Sequence, residues 1–283
     1  MEIAKGHARQ PTALTIAGFD PGTGAGITAD LLTFARFGLF ASSAITALTV
    51  QSTRGVRRVQ PVDPALLRDM LEELEADLPA DGVKIGMLGG APQVRVVADF
   101  LTAVRRRRAI AVVLDPVLVS SSGAILLDAS GLEMLQTDLL PLVDALTPNA
   151  PEAALLTGLP CGNAREAEQC ARTLAERYPR LVPVVTGGHL ETPRDLVWQQ
   201  GSASWIPGER LSSRATHGTG CAFSSALLAA HLHGEDWPRA AATAKRFVAE
   251  AIRTAVPRGA GCGPMNLLGP APASRSSEDE ASR

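Results

Sequence analysis

The sequence predicts an α/β fold with a mainly parallel central sheet and helices on both faces. Three observations lead there. Short β-branched or apolar runs alternate with longer segments of helical period, the pattern of a sheet with crossover helices. At 283 residues, 46% hydrophobic and 20% charged, the chain can bury a large core. Two glycine-rich turns lead directly into helical segments, as ligand-facing turns in such folds do.

In chain order, the strands expected are Ala13 to Ala17, Ser43 to Thr49, Gly82 to Ile85, Ala111 to Leu114, Ala145 to Thr147 and Val182 to Thr186. Helical patterns cover Ala25 to Phe37, Pro64 to Leu78, Pro92 to Arg106, Ala129 to Leu140, Ala164 to Arg177, Gly220 to Leu232 and Pro238 to Val256. That order calls for parallel strands joined by right-handed crossovers. Asp195 to Ile206, with Trp198 and Trp205 around Gln200-Gly201, reads as a late hairpin. No repeat or linker divides the chain, so one domain is expected over residues 12–268, after an N-terminal extension at 1–11. The polar stretch 269–283 reads as a disordered tail.

A formal charge of −2 gives no reason to expect nucleic acid or a membrane as partner. The basic run Arg105 to Arg108 reads as the solvated end of a helix. Cys161, Cys170, Cys221 and Cys262 form no CxxC pair and have no zinc-finger spacing, which suits a reducing compartment. With a polar N-terminus and no long apolar run, the expected location is the cytoplasm.

Two motifs carry chemistry. GFDPGTGAGITAD follows the first strand and opens a helix, a turn suited to close backbone approach to a ligand. It is not a dinucleotide fingerprint: Gly22, Gly24 and Gly26 give G-x-G-x-G, and no acidic residue lies between Asp30 and Asp63. Nor is it a Walker loop, since the only lysines are Lys5, Lys84 and Lys245. The second motif, Thr216-His217-Gly218-Thr219-Gly220-Cys221, runs into the apolar helix CAFSSALLAAHL. Glycines there leave backbone N–H groups free at the positive end of a helix dipole, where a transferred phosphoryl group would be stabilised. The plainer reading is a helix entry that merely uses glycine.

Taken together, ALTIAGFDPGTGAGITADLLTF, ITALTVQSTRGV, VKIGMLG, VVLDPVLVSSSG, LTPNAPEAALLTG, VVTGGHL and THGTGCAFSSAL resemble the hydroxymethylpyrimidine/phosphomethylpyrimidine kinase family over residues 12–266, in the family's order. The resemblance implies a ribokinase-like fold, with the active site beyond the C-terminal strand ends. It implies ATP and Mg²⁺ as cofactors, the aminopyrimidine as the other partner, and a homodimer.

By the same resemblance, Gly18, Ala25, Gln51, Met87 and Cys221 surround the pyrimidine, with Asp20 close by; Gln51 would read the ring nitrogen and amine, and Met87 would support the ring. Asp115 and Glu152 would hold Mg²⁺, and Asn149, Thr186, Thr219 and Lys245 would lie along the nucleotide. Gly218, Gly220 and the Cys221 amide would form the anion hole, with the Cys221 thiol as base, activated by the helix N-terminus. Each has a plainer alternative: core packing for Met87 and Cys221, turn chemistry for Asp20, helix capping for Asn149 and Glu152. His217 is expected to shape its loop without a catalytic duty.

Three departures from the family pattern stand out. Thr186 occupies a site where the family commonly has lysine, Phe19 one often filled by Ser or Thr, and Ser120 to Gly123 lack a frequent lysine. The alternatives left open are a pyridoxal or pyridoxine kinase and a non-catalytic ligand-binding protein on a decayed kinase fold.

Overall fold

Apolar, β-branched runs supply the strands of the computed structural model, which describes residues 9–119, 123 and 125–269. In chain order the elements are β1 (Thr12–Phe19), α1 (Gly26–Arg36), β2 (Phe40–Ser52), β3 (Gly55–Pro61), α2 (Pro64–Asp77), β4 (Gly82–Ile85), α3 (Ala91–Arg107) and β5 (Ala111–Leu114). They continue with α4 (Ala129–Met134), β6 (Ala145–Leu146), α5 (Ala150–Thr157), α6 (Ala164–Arg177), β7 (Val182–Val185), β8 (Asp195–Gln199), β9 (Ser202–Ile206), α7 (Thr219–Leu232) and α8 (Trp237–Arg253). The expected N-terminal extension and C-terminal tail fall largely outside the described residues, as do Ser120 to Ser122 of the VSSSG segment.

Among the described residues nine strands join one sheet in the order β3-β2-β1-β4-β5-β6-β7-β8-β9. From β2 to β7 the pairings are parallel, and both edges are antiparallel. Alternation along β5 shows how the sheet is covered. Val112 and Leu114 join the core under α2, α3 and α4, whereas Val113 joins the opposite core with Phe34 of α1 and Leu227 of α7. Helix α7 is apolar on nearly every side, as a helix buried within a protein must be.

Three elements depart from expectation. β3 is an additional edge strand, whose exposed Arg57 and Arg58 disguise its period. The helix expected to Leu140 loses α geometry after Met134, passing through a π turn at Leu135–Leu139 and a 3₁₀ turn at Leu140–Leu142. Pro141 has no N–H to extend an α ladder there. α5 is a short helix introduced by Asn149 and Glu152. The hairpin β8–β9 matches expectation, turning on Gln200 (φ 53°) and Gly201 (φ 76°), the double positive φ of a type I′ turn.

The basic run is not idle surface. Arg105 reaches Asp144 at 2.6 Å and Arg108 reaches Glu75 at 2.7 Å, tying α3 to neighbouring segments. Among the described residues no helix is long and apolar enough to cross a membrane.

Chain direction across the sheet reverses at β1, which has β2 on one side and β4 on the other. In open α/β sheets the crevice beyond the strand ends at such a switch point is where ligands bind. Gly18 ends β1 there and Met87 follows β4, so close that a methyl on Gly18 would lie 2.3 Å from Met87 Cε.

Candidate active site

The first glycine-rich turn is organised by one carboxylate. Asp20 Oδ1 accepts from Gly22 N–H at 2.7 Å, and Oδ2 accepts from Gly24 and Ala25 N–H at 3.1 and 2.9 Å. His217 Nε2 lies 2.9 Å from the same Oδ2. Burial opposes ionisation of Asp20, but the donors His217, Gly22 and Gln51 outweigh it and hold the carboxyl below its ordinary range. Asp20, expected among the substrate contacts, thus shapes the loop that borders the crevice. Gln51, Met87, Gly18 and Ala25 remain around the mouth of the same crevice.

The second turn meets the first. Gly218 (φ 79°) caps α7 without a side chain, so the N–H groups of Thr219, Gly220 and Cys221 have no acceptor in the helix ladder. A methyl on Gly218 would fall 1.9 Å from Gly24 O, so only glycine allows this contact. Gly220 is exposed, leaving the helix N-terminus open to a ligand.

Beneath that N-terminus lies Asp115, buried just past β5. A methyl on Gly220 would be 3.4 Å from Asp115 Oδ2, a buried atom with no hydrogen-bond partner among the described residues. Burial pushes Asp115 up to about 6, with Lys84 pulling it down and Asp30 pushing it up. Glu152 is pushed up to about 8, first by burial and then by the charge of Asp115, against N–H groups of Asn149 and Leu118. Two buried carboxyls held above their ordinary range, one of them raised by the charge of the other, call for a cation. The residues therefore fit Mg²⁺, although no group of three or more acidic, His or Cys ligands exists among the described residues. A bound Mg²⁺ would complete its shell with phosphate oxygens and water.

Asn149 and Glu152 also form a reciprocal capping box at the start of α5, each side chain accepting from the other's N–H at 2.9 Å. The capping alternative is thus realised, and it holds Glu152 facing Asp115.

Thr186 follows β7 directly and pairs with Asn149 across a parallel bridge. Lys245, expected along the nucleotide, instead spends its ammonium on buried Asp195, 2.7 Å from Oδ1. The same oxygen accepts from Gly187 N–H at 2.8 Å, so Lys245 acts on the turn after Thr186 rather than presenting a free charge.

The surroundings of the Cys221 thiol oppose the thiolate that a base would need. It lies among Asp115, Lys84 and the Gly26 N–H, and burial pushes it up to about 12. Lys84 and Gly26 favour the thiolate, while Asp115 and Asp30 oppose it. Desolvation outweighs the helix N-terminus, so the thiol is protonated at neutral pH and is no base in this state.

A buried charge network was not foreseen. Lys84 Nζ sits 2.9 Å from both oxygens of Asp30, each side chain fully buried. Thr15 and Ser225 hydroxyls donate to the same carboxylate at 2.6 and 2.8 Å. The signals were a lysine inside an otherwise apolar strand and an aspartate in the Ile27, Asp30, Phe34 stripe of α1.

Comparison with known proteins agrees with this geometry. The family model described as Phosphomethylpyrimidine kinase matches residues 20–266. The hydroxymethylpyrimidine/phosphomethylpyrimidine kinase of Haemophilus influenzae is 39% identical over 259 residues, 89% of this chain and 95% of that protein. The thiamine biosynthesis bifunctional protein ThiED of Geobacter sulfurreducens is 41% identical over 91% of this chain, which spans only 52% of that longer protein. Among solved structures, the pyridoxal kinase of Staphylococcus aureus in complex with ADP superposes with a TM-score of 0.84 at 26% identity, covering 93% of this chain and 95% of that one. The fold is ribokinase-like, and a match across most of the sequence, with the glycine turns and the Asp115–Glu152 pair in place, makes this chain a member of the phosphomethylpyrimidine kinase family.

Proposed function

We propose that the chain transfers the γ-phosphoryl group of ATP to the 5-hydroxymethyl oxygen of 4-amino-5-hydroxymethyl-2-methylpyrimidine, and in a second round to the resulting monophosphate, as a step of thiamine biosynthesis. The observation that carries this reading is the uncapped N-terminus of α7 standing over the orphaned Asp115 Oδ2, beside the crevice of Gln51 and Met87.

Catalysis here is mainly positioning and charge stabilisation. The N–H groups of Gly220 and Cys221 face the place where negative charge spreads over the equatorial oxygens. Gln51 offers an acceptor and a donor to the amine and ring nitrogen, and Met87 gives the ring an apolar, adaptable support. Asp115 and Glu152 would hold Mg²⁺, which would supply positive charge to offset that of the phosphates. Attack on a loose, metaphosphate-like centre asks little activation of the hydroxyl, so the Cys221 thiol can stay protonated through bond formation. The oxygen–phosphorus bond forms as the bond to the ADP oxygen breaks, and the hydroxyl proton leaves to solvent. Thr186 supplies a hydroxyl where a cation would hold phosphate more strongly. A homodimer acting in the cytoplasm completes the proposal, and a light-scattering mass equal to one chain would overturn the dimer.

The test is ATP consumption with the pyrimidine, its monophosphate and pyridoxal side by side. Turnover of the pyrimidine compounds in preference to pyridoxal is expected. Preference for pyridoxal would assign the chain to that activity, and binding without turnover of any would make it a ligand-binding protein.

A further inference from the structure

We propose that His217 is a positioning residue: through Asp20 it latches the glycine loop beside the acceptor to the glycine turn that receives the phosphoryl group, so both sites are built as one unit. The inference rests on the kinase reading for its consequence, and on geometry for its existence.

His217 sits next to the Gly218 cap of α7, and its Nε2 reaches Asp20 Oδ2 across 197 residues of sequence. A carboxylate only accepts, so Nε2 carries the hydrogen. That nitrogen then has no lone pair for Gln51 Nε2, 3.4 Å away, and the Gln51 amide N–H turns to Asp20 as well. One carboxylate thereby gathers Gly22, Gly24, Ala25, His217 and Gln51. Steric fit repeats the connection. A methyl on Gly24 would lie 2.2 Å from the His217 ring, and one on Gly218 would meet Gly24 O.

The backbone of His217 is held separately. Its N–H donates to Gly263 O at 3.1 Å and it bridges to Pro264, so truncating the side chain removes the latch without removing the anchor of its turn.

The consequence is mutual alignment of acceptor and phosphoryl group, where a displacement of about 1 Å costs about 10²-fold in rate. Three proteins are compared: the parent, His217→Ala, and His217→Gln, whose Nε2–H can occupy the place of the imidazole Nε2–H. In His217→Ala the kcat/KM for the pyrimidine should fall by about 10²-fold. ATP should then be hydrolysed in excess of the pyrimidine phosphorylated, with KM for ATP nearly unchanged. His217→Gln should recover most of the loss.

Amide hydrogen exchange supplies a readout independent of activity. Residues 20–25 and 217–221 should lose protection together in His217→Ala and regain it in His217→Gln. If only one of the two segments responds, or if His217→Gln behaves like His217→Ala, the latch is wrong. Joint loss of protection in His217→Ala, together with a parent that phosphorylates nothing, would leave the latch standing and overturn the kinase reading instead.

Discussion

Lys84→Met tests the buried network under the site with a nearly volume-matched change. In the folded chain Lys84 Nζ lies 2.9 Å from both Asp30 oxygens, with both side chains at 0% exposure. Methionine leaves Asp30 ionised, buried and served only by the Thr15 and Ser225 hydroxyls. Removing one partner of a buried ion pair costs roughly 3–5 kcal/mol, mostly the penalty of the stranded charge. At about 2–4 °C per kcal/mol for a large domain, Tm should drop by roughly 6–20 °C. Asp30→Asn combined with Lys84→Met removes the stranded charge and should recover most of the loss, giving a coupling of about 2 kcal/mol or more in a double-mutant cycle. Because burial is outweighed by Asp30, Cys221 and Asp115, the Lys84 ammonium is held above its ordinary range. The stabilisation is therefore fully present below the unfolded lysine's pKa and is lost only in strong alkali, so neutral-pH denaturation in urea is a fair assay. A single variant that loses less than about 1 kcal/mol, or a double variant no better than the single, would refute the reasoning.

Four further outcomes are expected. Thr186→Lys should lower KM for MgATP by up to about tenfold, equivalent to about 1.4 kcal/mol; no change would point to Arg210, whose guanidinium already donates to Gly188 O and Leu190 O at 3.3 and 2.9 Å. A thiol reagent at neutral pH should label exposed Cys262 well before Cys221, mapped by mass spectrometry, since Cys221 is pushed up to about 12; preferential labelling of Cys221 would restore it as the base. Gln51→Met should cost roughly 1–3 kcal/mol in kcat/KM for the pyrimidine by leaving its polar edge unpaired, and unchanged kinetics would move the pyrimidine elsewhere. Finally, Glu152 and Asp115 are raised to about 8 and about 6 in the folded chain, so it binds more protons than the unfolded chain. Metal-free stability should therefore fall as pH rises from about 4 to 8, Mg²⁺ with nucleotide should flatten the fall, and a rise over that window would contradict the assignment.

What could be read from the sequence depended on whether the cause was local. β1, β4 and β5 declared themselves as apolar runs between turns, and the glycines before α7 marked the anion-ready helix end. β3 did not, because an edge strand exposing Arg57 and Arg58 has no apolar face to show. Asn149 and Glu152 were read mainly for a metal, yet the same spacing starts α5 as a capping box. The Lys84–Asp30 pair, 54 residues apart, and the His217–Asp20 pair, 197 apart, belong to packing, which periodicity cannot display. Cys221 is the sharpest case. Its helix position was legible and favours a thiolate, but burial, a tertiary quantity, is larger and acts in the opposite direction.

The charges under α7 explain why one acidic pair suits a cation and the other does not. Asp30 has Lys84 plus two hydroxyl donors, so its charge is answered within the protein and an added cation would gain little there. Among the described residues Asp115 and Glu152 form no ion pair with a lysine or arginine. Asp115 feels Lys84's charge, but Asp30 opposes it, and one Asp115 oxygen stays unpartnered beneath Gly220. The deficit therefore lies on the side of the network that faces the phosphate-ready N–H groups. A divalent ion arriving with phosphates would meet two carboxyls below that lack a cation, and helix N–H donors beside them. Without the ion, the charge of Asp115 would repel the same phosphates. Nucleotide affinity should accordingly depend on divalent cation more steeply in the parent than in Asp115→Asn, measured by calorimetry with and without Mg²⁺. Equal dependence in the two proteins would place the ion elsewhere.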